Sequence, residues 1–129
     1  MTAPAVATVA AGRSGPDVVR LRDDWVQMLR GTGLRATADP RNAQPPVALL
    51  QRPSMVPFGR FCEGLRIEWV LHLLVKGPDN SETWNLLEQM RRTVWPLLSN
   101  TITGCDADTY KINDTTDVAS YRIQFEQVV

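Results

Sequence analysis

The sequence predicts an α+β fold, with two amphipathic helices packed on one face of a mostly antiparallel sheet in the order α-β-β-β-α-β-β. Three observations lead there. Residues 16–30 and 81–95 carry apolar side chains at helical spacing. Leu65–Val75 alternates wholly apolar odd positions with mixed even positions, the signature of a strand with one dry face. The chain then ends in two alternating segments that read as a hairpin. A length of 129 residues fits one domain of ordinary size. Such a domain buries about two-thirds of its unfolded surface, enough for a core without staples. Residues 1–15 read as an N-terminal arm and 16–129 as that domain.

The first helix is expected over Pro16–Arg30. Ser14 and Asp17 supply a start resembling a capping box, and Pro16 is tolerated in the first turn. Val18, Leu21, Trp25, Met28 and Leu29 form the stripe, and Gly31 with Gly33 ends it. Leu34–Ala38 and Val47–Arg52 read as two strands. The loop between them carries Asp39-Pro40 at one end and Pro45-Pro46 at the other. Proline fixes its own φ and biases the residue before it toward extended geometry. The loop is therefore expected to be stiff, with Arg41, Asn42 and Gln44 held out at its tip. On this reading, shortening Ala38–Pro46 leaves the fold intact.

Pro53–Gly64 reads as a Pro- and Gly-broken connection that nevertheless carries Met55, Val56, Phe58 and Phe61. Either these fold back as a lid on the core, or they mark an interface, where Met and aromatics are enriched. Past Gly77-Pro78, Asp79 with Glu82 reads as a capping box opening a helix to about Trp95. Trp84, Leu87, Met90 and Val94 make its stripe. Glu88 and Arg92 stand as an i,i+4 pair, and Pro96 is expected to disturb the last turn. Trp95, beside Glu88 and Arg91, is either a border core residue or an interface anchor. In the final hairpin, Thr109–Asn113 is one arm, Asp114–Asp117 the turn and Val118–Val129 the other. The polar positions Lys111, Arg122, Gln124 and Glu126 are expected to face away from the helices.

A search for chemistry assigns no catalytic, cofactor or metal residue. His72 is the only histidine, and its neighbours two residues away, Val70 and Leu74, offer it nothing to coordinate or orient with. Cys62 and Cys105 stand far apart, outside any C-x-x-C pattern, and read as small reduced hydrophobes. Asp106, Asp108, Asp114 and Asp117 do not match a calcium-loop spacing and read as turn formers. The Gly31–Gly33 pair follows a helix, whereas a phosphate cradle precedes one. Fourteen basic against fourteen acidic residues give no overall basic excess. The N-terminal stretch lacks the basic start and long apolar run of a secretory signal and reads as a flexible or assembly-ordered arm. No segment reaches the roughly 18 apolar residues of a membrane span, so no membrane partner is expected.

The element order, the segment ATADPRNAQPPVALLQRP, the strand followed by PDNSETWNLLEQM, and the terminal DADTYKINDTTDVASYRIQFEQVV resemble the tail-terminator family of long non-contractile-tailed phages, the lambda-type terminators. That resemblance implies a structural virion protein rather than an enzyme. It implies a hexameric ring at the tail–neck junction, assembled in the host cytoplasm, that stops growth of the tail tube and presents a surface to the neck. Its implied partners are further copies of the chain, the major tail-tube protein, a neck or head-completion protein, and DNA passing transiently through the lumen. The alternative is an adjacent neck component, a head-completion or adaptor protein of the same connector. No catalytic residue is carried over. The candidate partner interface is Arg41, Asn42, Gln44, Met55, Phe58, Arg60, Phe61 and Trp95.

Overall fold

The computed structural model describes residues 17–60, 64–78, 80–113 and 116–129. The expected class and element order are present. Helix α1 (Val18–Arg30) precedes β1 (Ala36–Thr37) and β2 (Val47–Phe58), then β3 (Gly64–Val75), helix α2 (Ser81–Leu98), β4 (Ile102–Asn113) and β5 (Thr116–Val128). The five strands lie in the order β1-β2-β3-β5-β4. Every pair is antiparallel except β1–β2. Among the described residues no helix is long and apolar enough to cross a membrane.

Asp17 caps α1, its carboxylate accepting from the backbone N–H of Val19 at 3.0 Å and of Arg20 at 3.2 Å. Ser14 lies outside the described residues. The buried arc centres on Val26 and Leu29, flanked by Val18, Leu21 and Trp25. Met28, expected in the stripe, points to the border and is 43% exposed. Trp25 and Trp69 both donate their indole N–H to Gln127 Oε1, at 2.9 and 3.0 Å. Phe125 packs edge-on to Trp25, with ring centroids 4.9 Å apart. This knot fastens α1 to β3 and β5.

β1 is shorter than the expected Leu34–Ala38, because only Ala36 and Thr37 find partners, Ala48 and Leu49. β2 is much longer than Val47–Arg52. It runs on to Phe58 with a register shift between Gln51 and Ser54, so most of the expected broken connection is strand. The prolines are tolerated because of where they fall. Pro53 sits in the irregularity. Pro57 pairs with Leu65, whose own N–H and C=O both bond Val129 on the other side. The nitrogen of Pro57 therefore faces the free edge of β2, where no donor is needed.

Asn80 caps α2, its Oδ1 accepting from the Thr83 N–H at 3.0 Å. The expected cap, Asp79, lies outside the described residues. The helix passes Trp95 and continues through Pro96 to Leu98. Its buried stripe is Thr83, Leu87, Met90, Val94 and Leu98. Thr83 takes the inward place expected of Trp84 because its hydroxyl reaches the Pro78 carbonyl at 2.6 Å, and Trp84 is left 62% exposed. β4 begins at Ile102 rather than Thr109, and Asp117 lies within β5 rather than in the turn. Lys111 shares a face with its pair Asp117, the helix-side parity, and not with Arg122, Gln124 and Glu126. The last three do face away from the helices, as expected.

The main core lies between the helices and one sheet face, built around Trp69, Leu71, Leu73, Ile123 and Phe125. A smaller cluster occupies one end of the opposite face, where Val47, Leu49, Leu74 and Val118 pack under Ala43, with Tyr110 and Ile112 at its rim.

Candidate functional site

His72 sits on the open face of β3 and is 5% exposed. Its Nε2 lies 2.7 Å from Gln51 Oε1, and its ring is 5.0 Å from that of Tyr110. With the Gln51 amide oxygen turned toward it, Nε2 is the ring nitrogen that donates in the tautomer this contact favours. Burial, aided by the Arg122 guanidinium, holds the imidazole below its ordinary pKa, with Asp108 pulling the other way. A buried ring held by the Gln51 amide and tilted against Tyr110 fits a place in the packing of this face. Cys105 is half-buried, and burial pushes its thiol up, away from the reactive thiolate. Among the described residues no group of three or more His, Cys, Asp or Glu side chains is arranged to hold a metal ion. Cys62 and Asp114 lie outside the described residues.

Charged side chains share the rest of the open face with Val70, Ser120 and Gln124. Arg122 stands opposite Asp106 in the register and Ser120 opposite Asp108. Arg66 Nε lies 3.6 Å from Glu68 and 3.9 Å from Glu126. Acidic positions on this face (Glu68, Asp106, Asp108, Glu126) outnumber the arginines (Arg66, Arg122). A surface with that balance has little to offer a phosphate backbone.

The expected interface residues fall into separate groups. Arg41 and Asn42 are exposed on a 3-10 turn, Pro40–Asn42, and Gln44 is exposed just beyond it, after buried Ala43. Asp39 caps that turn and pairs with Arg41, Nη2 to Oδ2 at 2.9 Å, and the guanidinium holds its carboxyl below the usual range. The loop is not the free projection the prolines suggested. Ala43 is 3% exposed and seals the smaller cluster, so the loop is pinned at its middle. The second group lies at the far end of β2. Met55 is 50% and Phe58 41% exposed, and Arg60 is exposed beyond them. Phe58 lies across Gly64, where an added Cβ would stand 2.4 Å from its ring. Phe61 lies outside the described residues. The middle of β2, with its register shift between Gln51 and Ser54, lies between the two groups. Trp95 belongs with neither. It is half-buried under the Arg91 guanidinium, 4.9 Å from its ring, and Arg91 is itself held by Glu88. That makes Trp95 a border residue capped by its own helix.

Two surfaces escape the sequence reading. One is a cleft of about 560 Å³ between α1 and the segment after β1. Its arginines are already engaged, Arg22 with Asp23, Arg30 with the Ala36 carbonyl and Arg41 with Asp39. The other, about 340 Å³, lies between α2 and the β4–β5 ladder and is lined by Pro78, Trp84, Leu87, Ala107, Thr109 and Tyr121 among others. There the Trp84 indole N–H donates to the Tyr121 hydroxyl at 2.7 Å. The signal that could have found this cleft is the helical phase of α2, in which Thr83 competes with Trp84 for the inward position. Compared with known proteins, the chain matches no family model and no curated protein.

Proposed function

We propose that the chain is a ring-forming structural component of a phage tail, the terminator that caps the tail tube and receives the neck. One observation carries the reading. A two-layer body presents two unlike exposed groups at different parts of β2, a polar turn at Arg41–Gln44 before its first residue and the apolar side chains of Met55 and Phe58 toward its other end. A protein that must bind a tube on one side and a neck on the other needs two such groups on a stiff body. The sequence resemblance supplies the identity of those partners, and the acidic balance of the open face suits a conduit that passes DNA without holding it.

The test is addition of the purified chain to growing tail tubes, with tube lengths measured by electron microscopy. Growth is expected to stop, with density at one tube end. Phe58→Asp and Arg41→Asp are expected to impair different joints, one to the tube and the other to the neck. Tubes that lengthen equally with and without the chain would overturn the proposal. Binding confined to the capsid portal would instead favour the adjacent neck component.

A further inference from the structure

The sheet has two outer edges, and only one is defended. On β2, β1 covers Ala48 and Leu49. Beyond them the register shift and the prolines at positions 53 and 57 interrupt the line of donors. β4 is the opposite border of the sheet. It contains no proline and pairs with β5 without a shift from Gly104 to Lys111. Among the described residues no further backbone hydrogen bond reaches that run from outside its ladder. Its outward N–H and C=O groups form a template for another strand.

The surroundings of this edge state what chemistry the strand must have. On the helix side, Ala107 and Thr109 open into the 340 Å³ cleft, which Trp84 and Leu87 wall and the exposed Asp117 also lines. On the other side stand the exposed carboxylates of Asp106 and Asp108. This edge thus suits an added strand with uncharged, apolar or β-branched side chains toward the cleft and no acid on either face. The candidates within this chain narrow quickly. The free part of β2 is broken by proline. A second β4 would bring like carboxylates together across the pair. Residues 1–16, outside the described residues, contain no acidic side chain, carry Arg13, and include the small and β-branched run Ala5–Ala11.

We propose that the N-terminal arm of a neighbouring copy adds to the free edge of β4, with Ala5–Ala11 as the added strand alongside Gly104–Lys111. The inference rests on the ring reading and deepens it. Exchange of an arm between like subunits is a head-to-tail contact of the kind that closes rings. The main-chain bonds supply affinity, and the cleft beside Trp84 selects the side chains.

The test uses the full chain with Cys62 and Cys105 replaced by Ser. Ala7→Cys and Ala107→Cys are placed on separate molecules, mixed, assembled on tail tubes and oxidised. A disulfide-linked pair containing one of each variant is expected. Separately, backbone amides of Gly104–Lys111 are expected to exchange about tenfold more slowly, or more so, in assembled full chain than in chain lacking residues 1–15. Rings that form with no cross-link and with identical exchange after truncation overturn the arm inference and leave the ring reading standing. A link formed within one doubly substituted molecule at high dilution also overturns it, since the arm then serves its own β4. A chain that forms no ring on tubes or free overturns both.

Discussion

On the helix side of β3, Ile67, Trp69, Leu71 and Leu73 are fully buried along the length of the strand. On the opposite side burial is graded, from half-exposed Arg66 and Glu68, through Val70 and His72, to Leu74 at 0% exposure. The helices cover the first face uniformly. The second is closed off near Leu74, where Ala43 and Val118 cluster with it and Tyr110 and Ile112 pack against them. One strand thus belongs to a permanent core on one side and to a surface that becomes core near one end on the other. The loop around Ala43 and the small cluster are therefore a single unit.

The largest effect that would sharpen this contrast is truncation on the covered face. Trp69→Ala removes a fully buried ring that stacks near Phe125 and donates to Gln127. It is expected to cost about 3–5 kcal/mol in chemical denaturation. Glu68→Ala, one residue away on the open face, is expected to stay within about 0.5 kcal/mol. Similar losses for the two would break the distinction.

Leu74→Ala tests the covered end of the open face. Its site is dry but small and roofed by a loop that can settle inward, so a loss of about 2–3 kcal/mol is expected, below that at Trp69. The same cluster corrects the expectation that shortening Ala38–Pro46 spares the fold. That deletion removes Ala43 and uncovers Leu49, Leu74 and Val118. A truncated loop should therefore lower the denaturation midpoint, whereas Arg41→Asp, on an exposed side chain, should leave it unchanged.

These residues also show what could be read from the chain alone. The period of β3 and the two helical stripes are local properties, so class, order and the dry face were legible. Whether Pro57 ends a strand depends on which way its nitrogen faces, and that is fixed by the bonds between Leu65 and Val129 across the sheet. Composition alone therefore read the second half of β2 as a connection. Thr83 and Trp84 are neighbours on a helix, and the choice between them turned on a carbonyl at Pro78. The polar turn at Arg41–Gln44 was visible as exposed, but its anchorage at Ala43 was not, because the partners of Ala43 come from three strands.

A pH titration probes the graded face at its midpoint. The His72 imidazole lies below its ordinary value of 6.5 in the fold, chiefly through burial. The unfolded chain thus binds the proton more readily, and stability rises with pH across that interval. The His72 contribution is fully present above about pH 6.5 and is lost as pH falls toward the folded pKa. His72→Gln is expected to flatten the denaturation midpoint between pH 7 and 5. Losses that persist in the variant below pH 5 belong to carboxylates such as Glu88, held low by Arg91. An unchanged profile in the variant would mean that this end of the face is wet.

The smallest effect is expected at Trp84, on the border of the covered face. It is 62% exposed, and its one polar tie is to the Tyr121 hydroxyl, which can turn to water when the indole is gone. Trp84→Phe should cost no more than about 0.5 kcal/mol. Fluorescence gives the finer reading. Trp69 is fully buried, Trp25 is held against Phe125, and Trp95 lies under Arg91. Quenching by acrylamide in the free chain should therefore come mainly from Trp84 and fall sharply in the variant. If quenching persists, another tryptophan is open to solvent and the helix cover is less complete than the burial of β3 implies.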